Sequence, residues 1–133
     1  MHQSGEDYLK TILLLHKRFH VVRKVDIAEA MGYTKPSVSH MIKNLNQLHY
    51  VDVIGNNVCL TAIGRQCANK IYARYCIIRD LLIYLGVKPL TAEKDACRME
   101  HMISDETFEA LKNYWKGELI NGVIAGSAID KGL

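Results

Sequence analysis

Residues 24–45, KVDIAEAMGYTKPSVSHMIKNL, decide how this chain is to be read. KVDIAEAMG is a short helix stopped at Gly32. Thr34 is a good N-cap for the helix that follows. Lys35 takes its first position, and Pro36 falls in the first turn, where a missing N–H costs little. Val38, Met41, Ile42, Leu45 and Leu48 then form an apolar stripe. Two helices joined by a tight glycine-containing turn make a helix-turn-helix.

Upstream, residues 3–18 predict a helix. Ser4 is placed to cap it, Glu6 and Asp7 lie in its first turn, and Tyr8, Leu9, Ile12, Leu13 and Leu15 recur at helical spacing. The connection HKRFHVVRK, residues 16–24, is basic. Downstream, VDVIGNNVCLT, residues 51–61, places two alternating runs about Gly55-Asn56-Asn57, three residues that tolerate positive φ. That is a hairpin, and helix, helix-turn-helix, hairpin is the order of a winged helix.

Thr61 opens a longer helix through about Leu85, ended by Gly86 with Pro89 soon after. Its face of Ile71, Tyr75, Ile78, Leu81, Leu82 and Leu85 is wider than a small winged helix covers, which points to a homodimer. Residues 91–103 and 105–116 predict two further helices, capped by Thr91 and Ser104, with Asp105 and Glu106 beside the second cap. The tail GELINGVIAGSAIDKGL, 117–133, is glycine-rich and takes no assignment. The fold class is therefore mostly α, with a winged helix-turn-helix over 1–64 and an all-helical dimerisation domain over 65–133.

Composition agrees. The chain has 133 residues, 49% of them apolar, which suits one domain or two small ones sharing a core. There is no apolar run of membrane-spanning length, and MHQSGEDYLK has no hydrophobic signal region. The four cysteines form no C-x-x-C pair and are expected to be reduced and mostly buried. Net charge is only +3, but residues 1–64 carry seven Lys/Arg against five Asp/Glu, residues 65–88 five against one, and residues 89–133 five against eight. A polyanion suits the first two thirds, and cations the last.

A helix-turn-helix puts its second helix into the major groove N-terminus first. Thr34, Lys35, Ser37, Ser39, His40 and Lys43 are the polar residues on offer there, with Tyr33 in reach of a phosphate and Asn56 and Asn57 at the wing tip. No Arg, Asn or Gln occupies the first two turns, so backbone contacts and shape readout are expected to outweigh bidentate base reading.

The second constellation is DACRMEHMISDE, residues 95–106. Cys97, Glu100 and His101 stand at i, i+3 and i+4, one face of a helix. Thiolate, carboxylate and imidazole suit Fe²⁺, Co²⁺, Ni²⁺ or Zn²⁺, and oxygen ligands shift the preference toward Mn²⁺. Three ligands on one helix do not close a coordination shell. The same pattern fits an amphipathic helix with a buried Cys beside a surface Glu–His pair, and spacing alone leaves both open.

GEDYLKTILLL (5–15), VDIAEAMGYTKPSVSHMIKNL (25–45), LTAIGR (60–65) and above all DACRMEHMISDE resemble the diphtheria-toxin-repressor and manganese-transport-regulator family, over about residues 4–116. The resemblance implies a two-domain, homodimeric, cytoplasmic bacterial or archaeal repressor. It would bind double-stranded operator DNA when Mn²⁺ or Fe²⁺ is abundant (Zn²⁺, Co²⁺ or Ni²⁺ in vitro), with no enzymatic activity, membrane association or small-molecule substrate. The family's C-x-x-E-H motif falls on Cys97, Glu100 and His101, its first-helix ligand on Asp7, and a further ligand position on Glu93. Other family ligand positions carry Tyr75, Arg79 and Lys10, so a second metal site looks dismantled, and Arg79 is expected to pair with Glu93. The alternative is a winged-helix regulator that is metal-independent or answers to thiol oxidation or a small molecule.

Overall fold

The computed structural model describes residues 3–121, and the end of the tail lies outside them. In chain order the elements are α1 (Gln3–His16), α2 (Lys24–Met31), α3 (Lys35–Gln47), β1 (Val51–Ile54), β2 (Asn57–Leu60), α4 (Ala62–Tyr84), α5 (Pro89–Met102) and α6 (Asp105–Ile120). The chain forms two compact units, Met1–Ile71 and Tyr72–Leu133.

The first unit is a winged helix. α2 ends on Gly32 at φ 69, and the N–H groups of Gly32 and Tyr33 both reach Ala28 O. α3 starts as its sequence predicts. Thr34 is extended, its Oγ1 accepts from Ser37 N at 3.3 Å, and Pro36 sits in the first turn. α3 ends without glycine: His49 takes φ 66, and His49 N and Tyr50 N close on Asn46 O and Leu45 O. This is a Schellman end built on a non-glycine residue, with some strain. β1 and β2 pair antiparallel, Val51 with Leu60 through Ile54 with Asn57. The connection is two residues, Gly55 and Asn56, and of the three residues expected to tolerate positive φ only Gly55, at φ 64, uses it.

The core draws on every element of this unit. Tyr8, Leu9, Ile12 and Leu15 of α1 pack with Val22, Ile27 and Ala28, with Val38, Ile42 and Leu45 of α3, and with Val51, Val58 and Leu60 of the wing. Fully burying one such aliphatic side chain stabilises by about 1.5–3 kcal/mol, so this shared core fixes where α3 and the wing stand. Both backbone polar groups of Val22 are used on the wing: Val22 N donates to Asn57 Oδ1 at 2.9 Å, and Val58 N donates to Val22 O at 2.7 Å. His16 Nε2 donates to Val58 O at 2.7 Å.

In the second unit α4 stops at a left-handed Gly86 (φ 103). α5 starts two residues before the expected position. Lys88, extended, is its N-cap and Pro89 its first residue, so Thr91 lies within the first turn instead of capping it; proline's fixed φ favours that place. Ser104 caps α6 as expected, accepting from Thr107 N at 3.1 Å, and α6 runs on through Gly117 to Ile120. Arg74 of α4 fastens the α5–α6 corner: it donates to Ile103 O (3.0 Å), Ser104 O (3.3 Å) and Asp105 Oδ1 (3.1 Å), with its guanidinium 4.8 Å from the Phe108 ring centroid. Trp115 is buried, with Tyr84 edge-on at 5.5 Å. No helix among the described residues is long and apolar enough to cross a membrane.

The turn from wing to α4 depends on Gly64. A Cβ there would run into the Tyr50 carbonyl oxygen, which also accepts from Thr61 N and Oγ1. Gly64→Ala should therefore lower stability by about 1–3 kcal/mol in urea unfolding, as overpacking against backbone does. At Gly117 an added Cβ meets nothing, and Gly117→Ala should not destabilise.

Candidate nucleic-acid interface and metal centre

On the first unit, Tyr33, Thr34, Lys35, Ser37, His40 and Lys43 are exposed, and Ser39 is half-buried. Thr34 and Ser37 are already bonded to each other, Thr34 Oγ1 donating to Ser37 Oγ at 2.8 Å. They fix the helix start as well as facing outward. Asn44 Nδ2 lies 3.4 Å from His40 Nε2. At the wing, Asn56 is exposed, whereas the Asn57 carboxamide oxygen is occupied by Val22 N. Asn57 is thus a fastener of the wing root.

Three cations converge where sequence reading named only one. A cavity of about 400 Å³ is lined by Arg23, Lys24, Val25, Lys35, Val53, Gly55 and Asn56. Lys35 was expected; Arg23 and Lys24 close the basic connection, and their excess charge was the only signal for them. Arg23 is held in place. Its backbone N donates to Asp26 Oδ2 at 2.9 Å, its Nε to the same oxygen at 3.3 Å, and its Nη2 to Asp26 Oδ1 at 3.3 Å. One edge of the guanidinium is thereby used, and the Nη1 edge makes no bond to Asp26. The backbone bond first, and then the side-chain bonds and charge of Arg23, hold the Asp26 carboxyl below the usual aspartate value.

Asp7 lies half-buried on α1 of the first unit. The other metal candidates lie on α5 of the second, where burial reverses the ordinary amphipathic expectation. Cys97 is exposed, whereas Glu100 is buried, with its side chain 0% exposed and that of His101 2% exposed. His101 Nε2 stands 3.3 Å from Glu100 Oε1. An acid and an imidazole side by side out of water are costly unless paired or shared by a cation. Glu93 is exposed one turn before Cys97. The donor set of carboxylate, imidazole and thiol fits a divalent transition metal.

On α4, Arg79 pairs with Asp80, Nε to Oδ1 at 2.9 Å, and not with Glu93 as expected. Asp80 is the better partner because it is itself buried, its side chain 2% exposed. Burial by itself would lower the Arg79 pKa; the bond and charge of Asp80 outweigh it and raise it. The guanidinium also lies 5.4 Å from the Tyr75 ring centroid. Burial pushes the Tyr75 hydroxyl up and Arg79 pulls it down, while Cys97 and Glu93 push it up again. Lys10, 8% exposed, and Arg79, its side chain 17% exposed, are both withdrawn from solvent.

Comparison with known proteins bears on both halves. Residues 1–57 match the family model "Iron dependent repressor, N-terminal DNA binding domain", and residues 61–116 match "Iron dependent repressor, metal binding and dimerisation domain". The chain is 35% identical over 108 residues to the transcriptional regulator MntR of Escherichia coli O6:H1, covering 80% of this chain and 70% of that one. It is 36% identical over 117 residues to an uncharacterised HTH-type transcriptional regulator of Methanocaldococcus jannaschii, covering 84% and 92%. Among solved structures, the manganese regulator SloR superposes with a TM-score of 0.75 at 30% identity, over 84% of this chain and 53% of that chain, so this chain spans about half its length.

The Asp26 clamp has a pH signature. A depressed folded-state pKa contributes stability above the ordinary aspartate range, and that stability is lost as pH falls through the folded value. Asp26→Asn should therefore cost about 0.5–1 kcal/mol at neutral pH, being partly exposed. Urea midpoints of the two proteins should converge on acidification below the ordinary aspartate pKa.

Proposed function

Because this chain belongs to the iron-dependent repressor family, we infer that it is a metal-dependent transcriptional repressor of metal-ion homeostasis genes, working as a homodimer on double-stranded DNA. It is a regulator and not an enzyme. The observation that carries the metal reading is the solvent-excluded Glu100–His101 pair on the C-x-x-E-H helix. Residues 1–64 read DNA in this account, and 65–133 hold the metal and dimerise. Exposed Leu85, Leu90, Tyr114 and Ile120 supply apolar surface for a second copy.

The ligands in this reading are Glu100, His101 and Cys97, with Asp7 from the recognition unit as the fourth and Glu93 at the margin. A bound Mn²⁺ or Fe²⁺ supplies the positive charge that two carboxylates, a thiolate and an imidazole call for. Asp7 and the α5 residues belong to different units, and an ion ligated by both would link the reading head to the dimerising half. The spacing of two reading heads must match about one helical turn of DNA or a multiple. Metal then selects the competent spacing. The cationic side chains of Arg79 and Lys10 favour a single ion per protomer.

Arg23, Lys24 and Lys35 hold a backbone phosphate at the cavity between α2, α3 and the wing, and Ser37, Ser39, His40 and Lys43 face the groove.

A gel shift on the chain's own promoter DNA, with Mn²⁺, Fe²⁺, Zn²⁺, Co²⁺ and Ni²⁺ at fixed salt, tests the whole reading. Metal should raise affinity, and Asp7→Ala should abolish the increase while circular dichroism stays unchanged. Calorimetry should return one equivalent per protomer. Two equivalents, or a full metal response in Asp7→Ala, overturns this ligand assignment. For the phosphate seat, Lys35→Ala should weaken binding to all sequences alike and reduce the slope of log K against log salt by about 1.

One observation favours a second reading: Cys97 is exposed, as a redox-responsive thiol would be. Alkylation by iodoacetamide separates the two, because Mn²⁺ should protect Cys97 only where it is a ligand.

A further inference from the structure

The recognition helix does not take its starting direction from its own sequence alone. A residue just before an N-cap commonly packs on the fourth residue of its own helix and so sets the direction of the chain into it. Here that residue is Tyr33, and its ring lies against Tyr8 of α1, centroids 5.9 Å apart and planes at 38°. Tyr8 is 2% exposed, seated in the core with Leu9, Ile12, Ile27, Val38 and Ile42, whereas Tyr33 is 48% exposed. The Tyr33 backbone is anchored too, its N–H on Ala28 O at 3.1 Å. Next in the chain come the Thr34 cap and Lys35, the first residue on the DNA-reading face.

We propose that Tyr33 is a positioning residue: through its stack on Tyr8 it ties the start of the recognition helix to α1, the helix on which Asp7 directly precedes Tyr8. This rests on the reading that Asp7 holds the ion. A side chain fixed to a core residue moves with it, because close-packed interiors transmit displacement. Any shift of the first two turns of α1 on metal binding is then passed to Tyr33 and to the Thr34–Ser37 turn. The phenol ring is the coupling element, and the Tyr33 hydroxyl is not required.

The test uses the full chain and fluorescence anisotropy on its own promoter duplex, with and without Mn²⁺ at one salt concentration. In the unaltered protein Mn²⁺ should raise affinity by a factor in the range of about 5–150. Tyr33→Ala should bring that factor down to about one. It should keep its circular dichroism, because Tyr33 is half out of the core, and its Mn²⁺ affinity measured without DNA. Tyr33→Phe and Tyr8→Phe, which keep both rings, should retain the factor whatever their absolute affinity. A Tyr33→Ala protein with the full factor overturns the linkage alone. So does a Tyr33→Phe protein that loses as much as Tyr33→Ala equally with and without metal, since Tyr33 is then only a hydroxyl contact to phosphate. An unaltered protein with no Mn²⁺ effect removes the metal reading and this linkage together.

Discussion

The recognition unit depends on the backbone of one residue. Val22 lies in the basic connection between α1 and α2, fully buried, and spends both its N–H and its C=O on the wing. A buried peptide must satisfy both groups. Here the partners are Asn57, the first residue of β2, and Val58, which also accepts from His16 at the end of α1. The hairpin has only two strands of four residues each, and such a hairpin alone is marginal in water. Its position against α2 and α3 therefore comes from this clasp, from Asn46 Nδ2 of α3 donating to Val51 O at 2.9 Å, and from Val51 and Val58 in the core. Without it, Gly55, Asn56 and Val53 would not close one side of the cationic cavity.

Most of this unit was legible in the sequence because its signals are local. Gly32, Thr34 and Pro36 mark ends and starts through backbone chemistry that does not depend on the rest of the fold, and the structure uses each as expected. Asn57 was misread in emphasis for the opposite reason. Asparagine beside glycine signals a turn, and nothing local shows that its amide faces a peptide 35 residues away. Arg23 and Lys24 escaped notice similarly: charge density marked the connection, but only the fold brings them beside Lys35. At α5, Thr91 looked like a cap because threonine often is one; Pro89, with its φ already helical, started the helix first.

The second unit shows where pattern reaches its limit. Spacing put Cys97, Glu100 and His101 on one face but left their burial undecided, and an ordinary amphipathic helix would have buried the cysteine and exposed the other two. The reverse is found. Burying an ionisable pair while leaving a thiol in solvent lowers stability unless something compensates. These residues lie within the stretch 61–116 that matches the family's metal-binding and dimerisation domain. Arg79 teaches a related point. Its expected partner was the carboxylate a turn away on the neighbouring helix, but a buried carboxylate next in the chain needs a counter-charge more than an exposed one does.

An ion on one element can regulate DNA binding on another only if the two states of the first place the second differently. α1 and α3 do not meet through flexible side chains. They share a close-packed core through Leu9, Ile12, Val38 and Ile42, and the Tyr8–Tyr33 stack reaches beyond that core to the cap of the reading helix. Packed interiors shift as blocks. On the proposed linkage a displacement at Asp7 reaches Thr34 through the Tyr8–Tyr33 stack, while His16 holds the wing to the far end of the same helix. The two sides of the DNA-reading face are thus tied to opposite ends of α1, and the wing is tied to α3 as well, Asn46 Nδ2 donating to Val51 O at 2.9 Å, so recognition helix and wing keep their angle as the unit moves.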